Sequence, residues 1–191
     1  EWGSLRQQVD FRFTEPKFLG RDLRAGFDLF HSRYDLSQYS SYDYRSTGGG
    51  VRLSYPLNAY TLLSTRYFIK SDEIIVPTSF CATGGGGAAA LCDQIGSFLN
   101  SSIGYTLLVD RRNDPVRPTR GWTGSIRQDF AGLGGDVNFV KTEADAAAYW
   151  GITPEWVVTA QASAGYVSGW AGDPVRINDR FFKGGNSFRG F

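Results

Sequence analysis

The chain has 191 residues, of which 15% are aromatic, 24 are glycine and none is methionine. Its formal net charge of +1, from 20 basic and 19 acidic residues, excludes a nucleic-acid binder that works through a concentrated basic excess. No apolar run approaches the roughly 20 residues of a membrane-spanning helix, and no stretch shows helical spacing, so the composition predicts an all-β protein. The start Glu1-Trp2-Gly3 is neither an initiator methionine nor a signal peptide, and we expect a longer parent protein.

Apolar and polar residues alternate with a period of two in segment after segment, which is typical of β-strands with two different faces. The clearest example is Phe139 to Trp150, where Val140 and Ala144 face one way and Lys141 and Glu143 the other. The eight predicted strands are Leu5 to Phe13, Leu23 to Phe30, Gly50 to Tyr55, Thr61 to Lys70, Phe98 to Asp110, Trp122 to Phe130, Phe139 to Trp150 and Val157 to Tyr166, and a ninth is predicted near Ile177 to Phe182.

Charges of both signs lie on the polar faces of nearly all these strands. The lumen of an eight-stranded barrel would be too narrow for so many charged groups without near-complete pairing, whereas a larger barrel has a wide, water-filled lumen. We therefore expect a lumen lining that includes Arg12, Arg24, Asp28, Arg52, Arg66, Arg127, Asp129, Lys141, Glu143 and Asp145.

Alternation alone fits a soluble β-sandwich as well as a membrane barrel. The connections favour the barrel, because short and long ones largely alternate and aromatic residues lie near the strand ends. The short predicted connections are Glu15 to Asp22, Pro56 to Tyr60 and Thr153 to Trp156, and the long ones are His31 to Thr47, Ser71 to Ser97 and Ser168 to Asn178. The predicted fold is thus a transmembrane antiparallel β-barrel, with the sandwich as the alternative.

Cys81 and Cys92 flank a Gly- and Ala-rich stretch, and no histidine or acidic cluster lies near enough in sequence to complete a zinc site. They are interpreted as a loop disulfide, which requires an oxidising compartment, or as two unpaired thiols in a loop.

Two further features could indicate chemistry. The run Gly84 to Gly87 has no Lys-Ser or Lys-Thr after it, so it is interpreted as a flexible loop and not a phosphate cradle. His31 is the only histidine, so a Ser-His-Asp lipase site would have to include it; a solvated or interfacial role is expected. The sequence predicts no catalytic residue, no metal site and no cofactor.

The C-terminal stretch contains Phe181-Phe182, the turn Gly184-Gly185 and the tetrad Phe188-Arg189-Gly190-Phe191. This combination resembles the BamA family of outer-membrane protein assembly factors, in which such a tetrad lies at the tip of a long loop folded into the barrel lumen. The run Asp110 to Pro115, followed by Arg117 to Gly121, resembles a strand-turn-strand element of the same family. The resemblance covers essentially the whole chain.

The resemblance implies that residues 1–191 form about eight to nine strands of a sixteen-stranded barrel and end within the lumenal loop motif, with the POTRA domains and barrel ends outside the sequence. It implies that Arg189 reaches a carboxylate on a later strand, a bond suited to the rigid donor fork of a guanidinium. Gly190 would allow close backbone approach, and Phe188 and Phe191 would wedge the loop tip.

The function implied is that of the barrel subunit of a non-enzymatic machinery that folds and inserts β-barrel proteins into the outer membrane of a Gram-negative bacterium. The implied partners are the outer-membrane lipid bilayer, nascent outer-membrane proteins and assembly-complex lipoproteins, without nucleic acid. The alternatives are a two-partner-secretion or TamA-like transporter of the same superfamily, a passive porin and an outer-membrane phospholipase.

Overall fold

The computed structural model describes residues 6–35, 43–76, 92, 94–176 and 179–181. Eight strands form within these ranges, and a short 3-10 helix, Phe18–Gly20, lies between the first two. None of the described residues forms a helix long and apolar enough to cross a bilayer. The strands are β1 (Arg6–Glu15), β2 (Arg24–Asp35), β3 (Asp43–Asn58), β4 (Thr61–Ile75), β5 (Gly96–Asp110), β6 (Arg120–Ala131), β7 (Phe139–Gly151) and β8 (Val157–Gly169).

All eight strands belong to one sheet, in the order β1 to β8, and each is antiparallel to its neighbours. Consecutive strands can pair in this way because an antiparallel pair needs only a hairpin connection. We call the end of the sheet with the β3–β4 turn the turn end, and the opposite end, where the chain also leaves β8, the loop end. The all-β antiparallel prediction is confirmed.

Several strands are longer at the loop end than the sequence predicts. Strand β2 continues to Asp35 and β3 begins at Asp43, well inside the predicted loop His31 to Thr47, and β4 also enters the predicted loop 71–97. The His31 Nδ1 and Thr47 Oγ1 atoms lie 2.7 Å apart across β2 and β3. Polar side chains pair on both faces here, so hydropathy alternation could not reveal these strand ends. The predicted contrast between short and long connections is correspondingly weaker.

The predicted ninth strand is wrong within its described part, Asp179 to Phe181. No strand forms there, and the Asp179 N–H donates to the Arg176 carbonyl oxygen at 3.1 Å, which closes a turn. The rest of that predicted strand lies outside the described residues. Alternation over so few residues cannot separate a strand from a turn that packs on the sheet.

The register gathers the apolar residues of all the predicted alternations on one side of the sheet and the charged residues on the other. Arg12 is opposite Asp28, for example, and Asp129 is opposite Lys141. We call these sides the apolar face and the charged face. Large side chains of the apolar face are exposed, as Phe11 is at 56%. A soluble sandwich would bury this face against a second sheet, whereas the described residues form a single sheet with this face exposed.

A small buried apolar core lies on the charged face at the loop end. It forms where the connection 132–138 and the segment after β8 fold back across the sheet. This core therefore covers the charged face at one end of the strands. Its buried residues are Ala131, Val137 and Phe139, and Phe98, Val167 and Val175 pack against them.

Candidate functional site: the charged face

Asp28 on β2 is shared by arginines from the two neighbouring strands. Arg12 Nε on β1 lies 2.9 Å from Asp28 Oδ1, and Arg52 Nη2 on β3 lies 3.0 Å from the same oxygen. Arg52 also reaches the Thr14 hydroxyl at 3.4 Å. Guanidinium–carboxylate hydrogen bonds are among the stronger polar contacts in proteins. One buried carboxylate thus ties three adjacent strands together.

Arg66 on β4 and Asp129 on β6 pair across the intervening strand β5. Arg66 donates to Asp129 Oδ1 from Nε at 2.9 Å and from Nη2 at 2.6 Å, and its Nη1 donates to the Thr106 hydroxyl at 2.7 Å. The pair passes over Gly104, where a Cβ atom would lie 3.0 Å from Arg66 Nη2 and closer still to the Asp129 carboxylate. The ion pair can form because residue 104 has no side chain.

The ion pairs continue from β6 to β7. Arg127 Nε lies 3.0 Å from Asp129 Oδ2 and 3.6 Å from Glu143 Oε2, and Lys141 Nζ lies 3.9 Å from Glu143 Oε1. Together with Arg66 these residues form a row in which the sign of the charge alternates, which we call the ion-pair ladder. Each carboxylate of the ladder contacts two cations, so like charges are kept apart.

Most of the charged residues predicted from the sequence therefore come together in two groups, one around Asp28 and one along the ion-pair ladder. Arg24 and Asp145 do not join them. Both lie on the charged face, but they are exposed and make no salt bridge within the described ranges. The paired charges tie neighbouring strands, whereas these two face open space.

A third polar group on the charged face was missed by sequence reasoning. Asp72 on β4 is buried and accepts hydrogen bonds from the Tyr44 hydroxyl at 2.9 Å, the Ser46 hydroxyl at 2.6 Å and Lys70 Nζ. The sequence assigned Asp72 to a long surface loop, 71–97. The signal was present, because Lys70 and Asp72 continue the alternation of β4 by one more step.

The segment after β8 brings further charges to the same face. The Arg176 guanidinium lies 3.0 Å from the centroid of the Phe98 ring, and burial lowers the pKa of this arginine. Asp179 is buried, and this burial raises the pKa of its carboxyl, while the positive charge of Lys70 opposes the shift. The charged face is therefore partly covered by a loop in which the Arg176 side chain is partly buried and Asp179 is buried.

On the apolar face, polar residues replace apolar ones towards the loop end. On β2, Leu29 is followed on the same face by His31, which contacts Thr47 of β3. One step further, Arg45 Nη1 lies 3.5 Å from Glu73 Oε2. The hydrogen-bond partner of His31 is thus a hydroxyl and not a carboxylate, so the described geometry does not assemble a Ser-His-Asp lipase site.

Several predicted residues lie outside the described ranges, namely Gly184, Gly185 and the tetrad Phe188-Arg189-Gly190-Phe191. Cys81 lies outside them as well. Cys92 is disulfide-bonded, and its pairing with Cys81 stays a prediction.

The chain matches the model of the Omp85 superfamily domain over residues 1–191. It is 24% identical over 189 residues to the outer membrane protein assembly factor BamA of Neorickettsia risticii, which covers 98% of this chain and 24% of that protein. It is 34% identical over 104 residues to the sorting and assembly machinery component 50 homolog of Xenopus tropicalis, covering 53% and 22% respectively. The chain thus spans about a quarter of the length of these relatives.

The sheet also matches a solved structure, the crystal structure of BamA from Haemophilus ducreyi lacking POTRA domains 1–3. The TM-score is 0.80 at 16% identity, over 96% of this chain and 37% of that one. The predicted partial transmembrane β-barrel is therefore confirmed at the level of the fold. In such barrels the apolar side of the wall contacts lipid and the polar side lines the lumen. The chain belongs to the Omp85 superfamily and forms part of a barrel of the BamA kind.

Proposed function

We propose that the full-length protein is the barrel subunit of the machinery that folds and inserts β-barrel proteins into the outer membrane of a Gram-negative bacterium. The observation that carries this proposal is the similarity to an outer membrane protein assembly factor along 98% of the chain. A membrane-facing apolar face, the ion-pair ladder and a loop folded onto the charged face all suit that role.

The physical task is the management of strand edges. A nascent barrel strand cannot leave its backbone N–H and C=O groups unpaired in the hydrocarbon core of a bilayer. A barrel that offers an edge of its own as a pairing template lowers the barrier to insertion without any covalent step. In this proposal, the described strands supply barrel wall, and the cross-strand ion pairs keep that wall closed.

The proposed partners follow from the same role. They are the outer-membrane bilayer against the apolar face, nascent outer-membrane proteins as clients, and lipoproteins of the assembly complex, with periplasmic POTRA domains elsewhere in the parent protein. A disulfide at Cys92 fits the oxidising periplasm or cell surface. Fractionation of host cells tests the location, and recovery of the protein outside the outer membrane would contradict it.

The loop motif has a proposed role as well. We expect Arg189 to bind a lumenal carboxylate on a strand beyond this chain and to lock the loop tip, with Phe188, Gly190 and Phe191 fitting the tip to the wall. Replacement of Arg189 by lysine keeps the charge but loses the planar donor fork. The lysine variant should therefore assemble clients more slowly than the wild type while its own barrel stays folded.

Depletion of the full-length protein in its host tests the proposal directly. The amounts of many unrelated outer-membrane barrels should fall together, as measured by quantitative proteomics of purified outer membranes. A matched control is depletion of one abundant porin, which should reduce that porin alone.

Other outcomes of the depletion distinguish the alternatives. Loss of one secreted protein, with barrel levels unchanged, would indicate a transporter of the same superfamily. Loss of small-solute uptake, with barrel levels unchanged, would indicate a passive porin. Either result would end the assembly proposal.

A further inference from the structure

The segment after β8 turns back over the sheet and is fastened there. The backbone N–H of Trp170 donates to the Asn138 carbonyl oxygen at 3.2 Å, and its indole Nε1–H donates to the Ala131 carbonyl oxygen at 3.0 Å. The Asn138 side-chain amide donates to Asp173 Oδ2 at 2.6 Å. The segment is therefore tied to the connection between β6 and β7 as soon as it leaves the barrel wall.

The following residues pack on the charged face of the neighbouring strands. Val175 joins the buried apolar core at the loop end, and the Arg176 guanidinium lies on the Phe98 ring. The Arg180 side chain donates to the Val175 carbonyl oxygen at 3.0 Å, which holds the turn between them. The path of the segment is thus set by successive contacts with the wall.

Phe181 ends this path on Gly165 of β8. A Cβ atom at Gly165 would lie 2.5 Å from the tip of the Phe181 ring, so the ring fills the space that a side chain at 165 would occupy. Gly165 is four residues before the end of β8 at Gly169, which at the rise of a strand is roughly 13 Å back along the wall. The segment therefore runs inward along the charged face.

Lys141 on β7 completes the contact. Its Nζ atom lies 4.5 Å from the centroid of the Phe181 ring, within the range of a cation–π interaction. The same Nζ is 3.9 Å from Glu143 Oε1, so the last cation of the ion-pair ladder lies between a carboxylate and the ring. We call Gly165, Lys141 and Phe181 the aromatic seat.

We propose that the aromatic seat is a positioning site for the loop that carries Phe188-Arg189-Gly190-Phe191. Gly165 provides the space for the ring, and Lys141 contacts the ring through a cation–π interaction. This is an attachment separate from any bond made by Arg189, and it fixes the chain seven residues before the tetrad begins. The inference rests on the proposed function only in assigning the loop to an assembly barrel.

The test reads the position of the loop in the full-length protein on intact cells. A single cysteine replaces Asn186 in a background carrying Cys81→Ser and Cys92→Ser, and a membrane-impermeant maleimide is added from outside. Gly165→Leu and Phe181→Ala should each raise the labelling rate about tenfold, because each abolishes the packed aromatic contact. Ala164→Leu is the matched control and should leave the rate unchanged, because Ala164 faces Ala144 on the apolar face.

Coupling between the variants separates the seat from a general effect on stability. The double variant Gly165→Leu/Phe181→Ala should label no faster than either single variant, since both changes break the same contact. Lys141→Gln should raise the labelling rate. Lys141→Arg should label at the wild-type rate, because a guanidinium also binds an aromatic face.

The heat-modifiable mobility of the folded barrel on gels is checked for every variant. If Gly165→Leu does not fold, the labelling rates of Phe181→Ala, Lys141→Gln and Lys141→Arg still test the aromatic seat. Folded Phe181→Ala that labels at the wild-type rate would overturn the proposal. Faster labelling of folded Phe181→Ala with normal client assembly would support the aromatic seat and show that assembly does not require it. The aromatic seat and the proposed assembly function can therefore fail separately.

Discussion

Asp129 is the residue on which the ion-pair ladder depends most. It accepts hydrogen bonds from Arg66 through one oxygen and from Arg127 through the other. The side chains of Arg66 and Asp129 are only 13% and 15% exposed, whereas those of Arg45 and Glu73, paired at 3.5 Å on the apolar face, are 39% and 40% exposed. Water screens the second pair far more than the first.

Replacing Asp129 with alanine should lower the free energy of unfolding by about 2–3 kcal/mol, because Arg66 is left shielded without its carboxylate and faces Arg127. The measurement is denaturant unfolding of the full-length barrel in lipid vesicles, followed by gel mobility. Glu73→Ala is the control and should cost less than about 1 kcal/mol. Equal losses for the two variants would show that the lumen screens its charges as completely as the outer surface.

At the scale of elements, the connection between β5 and β6 is held by its own side chains. Asn113 Oδ1 accepts the Arg120 N–H at 2.9 Å, and Asp114 Oδ1 accepts the N–H groups of Val116 and Arg117 at 2.7 and 3.0 Å. Such side-chain caps replace the backbone partners that a turn lacks. The two bonds to Asp114 lower the pKa of its carboxyl below the ordinary value of 3.8.

This lowered pKa makes the turn sensitive to acid. A carboxyl whose pKa is lower in the ordered turn stabilises that turn at any pH above its ordinary value, and the contribution is lost as the pH falls through the lowered value. The amide ¹⁵N shifts of Val116 and Arg117 in the full-length protein should therefore stay constant from pH 7 to about pH 5 and change below about pH 4. In Asp114→Asn, which cannot titrate, this change should be absent; a wild type with constant shifts down to pH 2 would contradict the assignment.

The two faces of β7 allow a comparison between neighbours of the same type. Ala146 lies on the apolar face and Ala147 on the charged face, both near the middle of the strand. Ala146→Arg should lower the free energy of unfolding in vesicles by about 2–4 kcal/mol, because the guanidinium would face hydrocarbon. Ala147→Arg should have a much smaller effect in the same unfolding experiment, and the reverse order would contradict the assignment of the faces.

For the molecule as a whole, β1 and β8 are the edges of the described sheet, since each pairs with only one strand. An unpaired edge beside an exposed apolar face promotes association with other chains. Residues 1–191 expressed alone should therefore aggregate without detergent, as measured by light scattering, whereas the full-length barrel in micelles should stay dispersed. A monodisperse, water-soluble monomer of the 191-residue chain would contradict this expectation.

The sequence could predict the strands and their two faces, because alternation is a local property of side-chain order. It could not predict which charges pair. Asp28 bridges Arg12 and Arg52 only because of the strand register, and Arg66 reaches Asp129 only because Gly104 lies between them. Register depends on contacts between distant parts of the chain.

The aromatic seat was beyond sequence reasoning for the same reason. In the sequence, Phe181 is part of a motif that resembles the family, whereas Gly165 looks like an ordinary small residue in an alternating strand. Their contact depends on the path of the loop across the charged face, which the fastening of Trp170 and Arg176 decides. The sequence also predicts strands that are too short at the loop end, because polar residues alternate there with other polar residues.

One assignment underlies the proposed barrel wall: the apolar face contacts lipid and the charged face contacts water. Single cysteines on neighbouring positions of β7 and β8, in the full-length protein in outer-membrane vesicles, test it by reaction with a water-soluble maleimide. We predict slow labelling at the apolar-face positions and fast labelling at the charged-face positions. Similar rates at both sets, or faster labelling on the apolar face, would contradict this assignment. The apolar-face positions are Ala144, Ala146 and Ala162, and the charged-face positions are Asp145, Gln161 and Ser163.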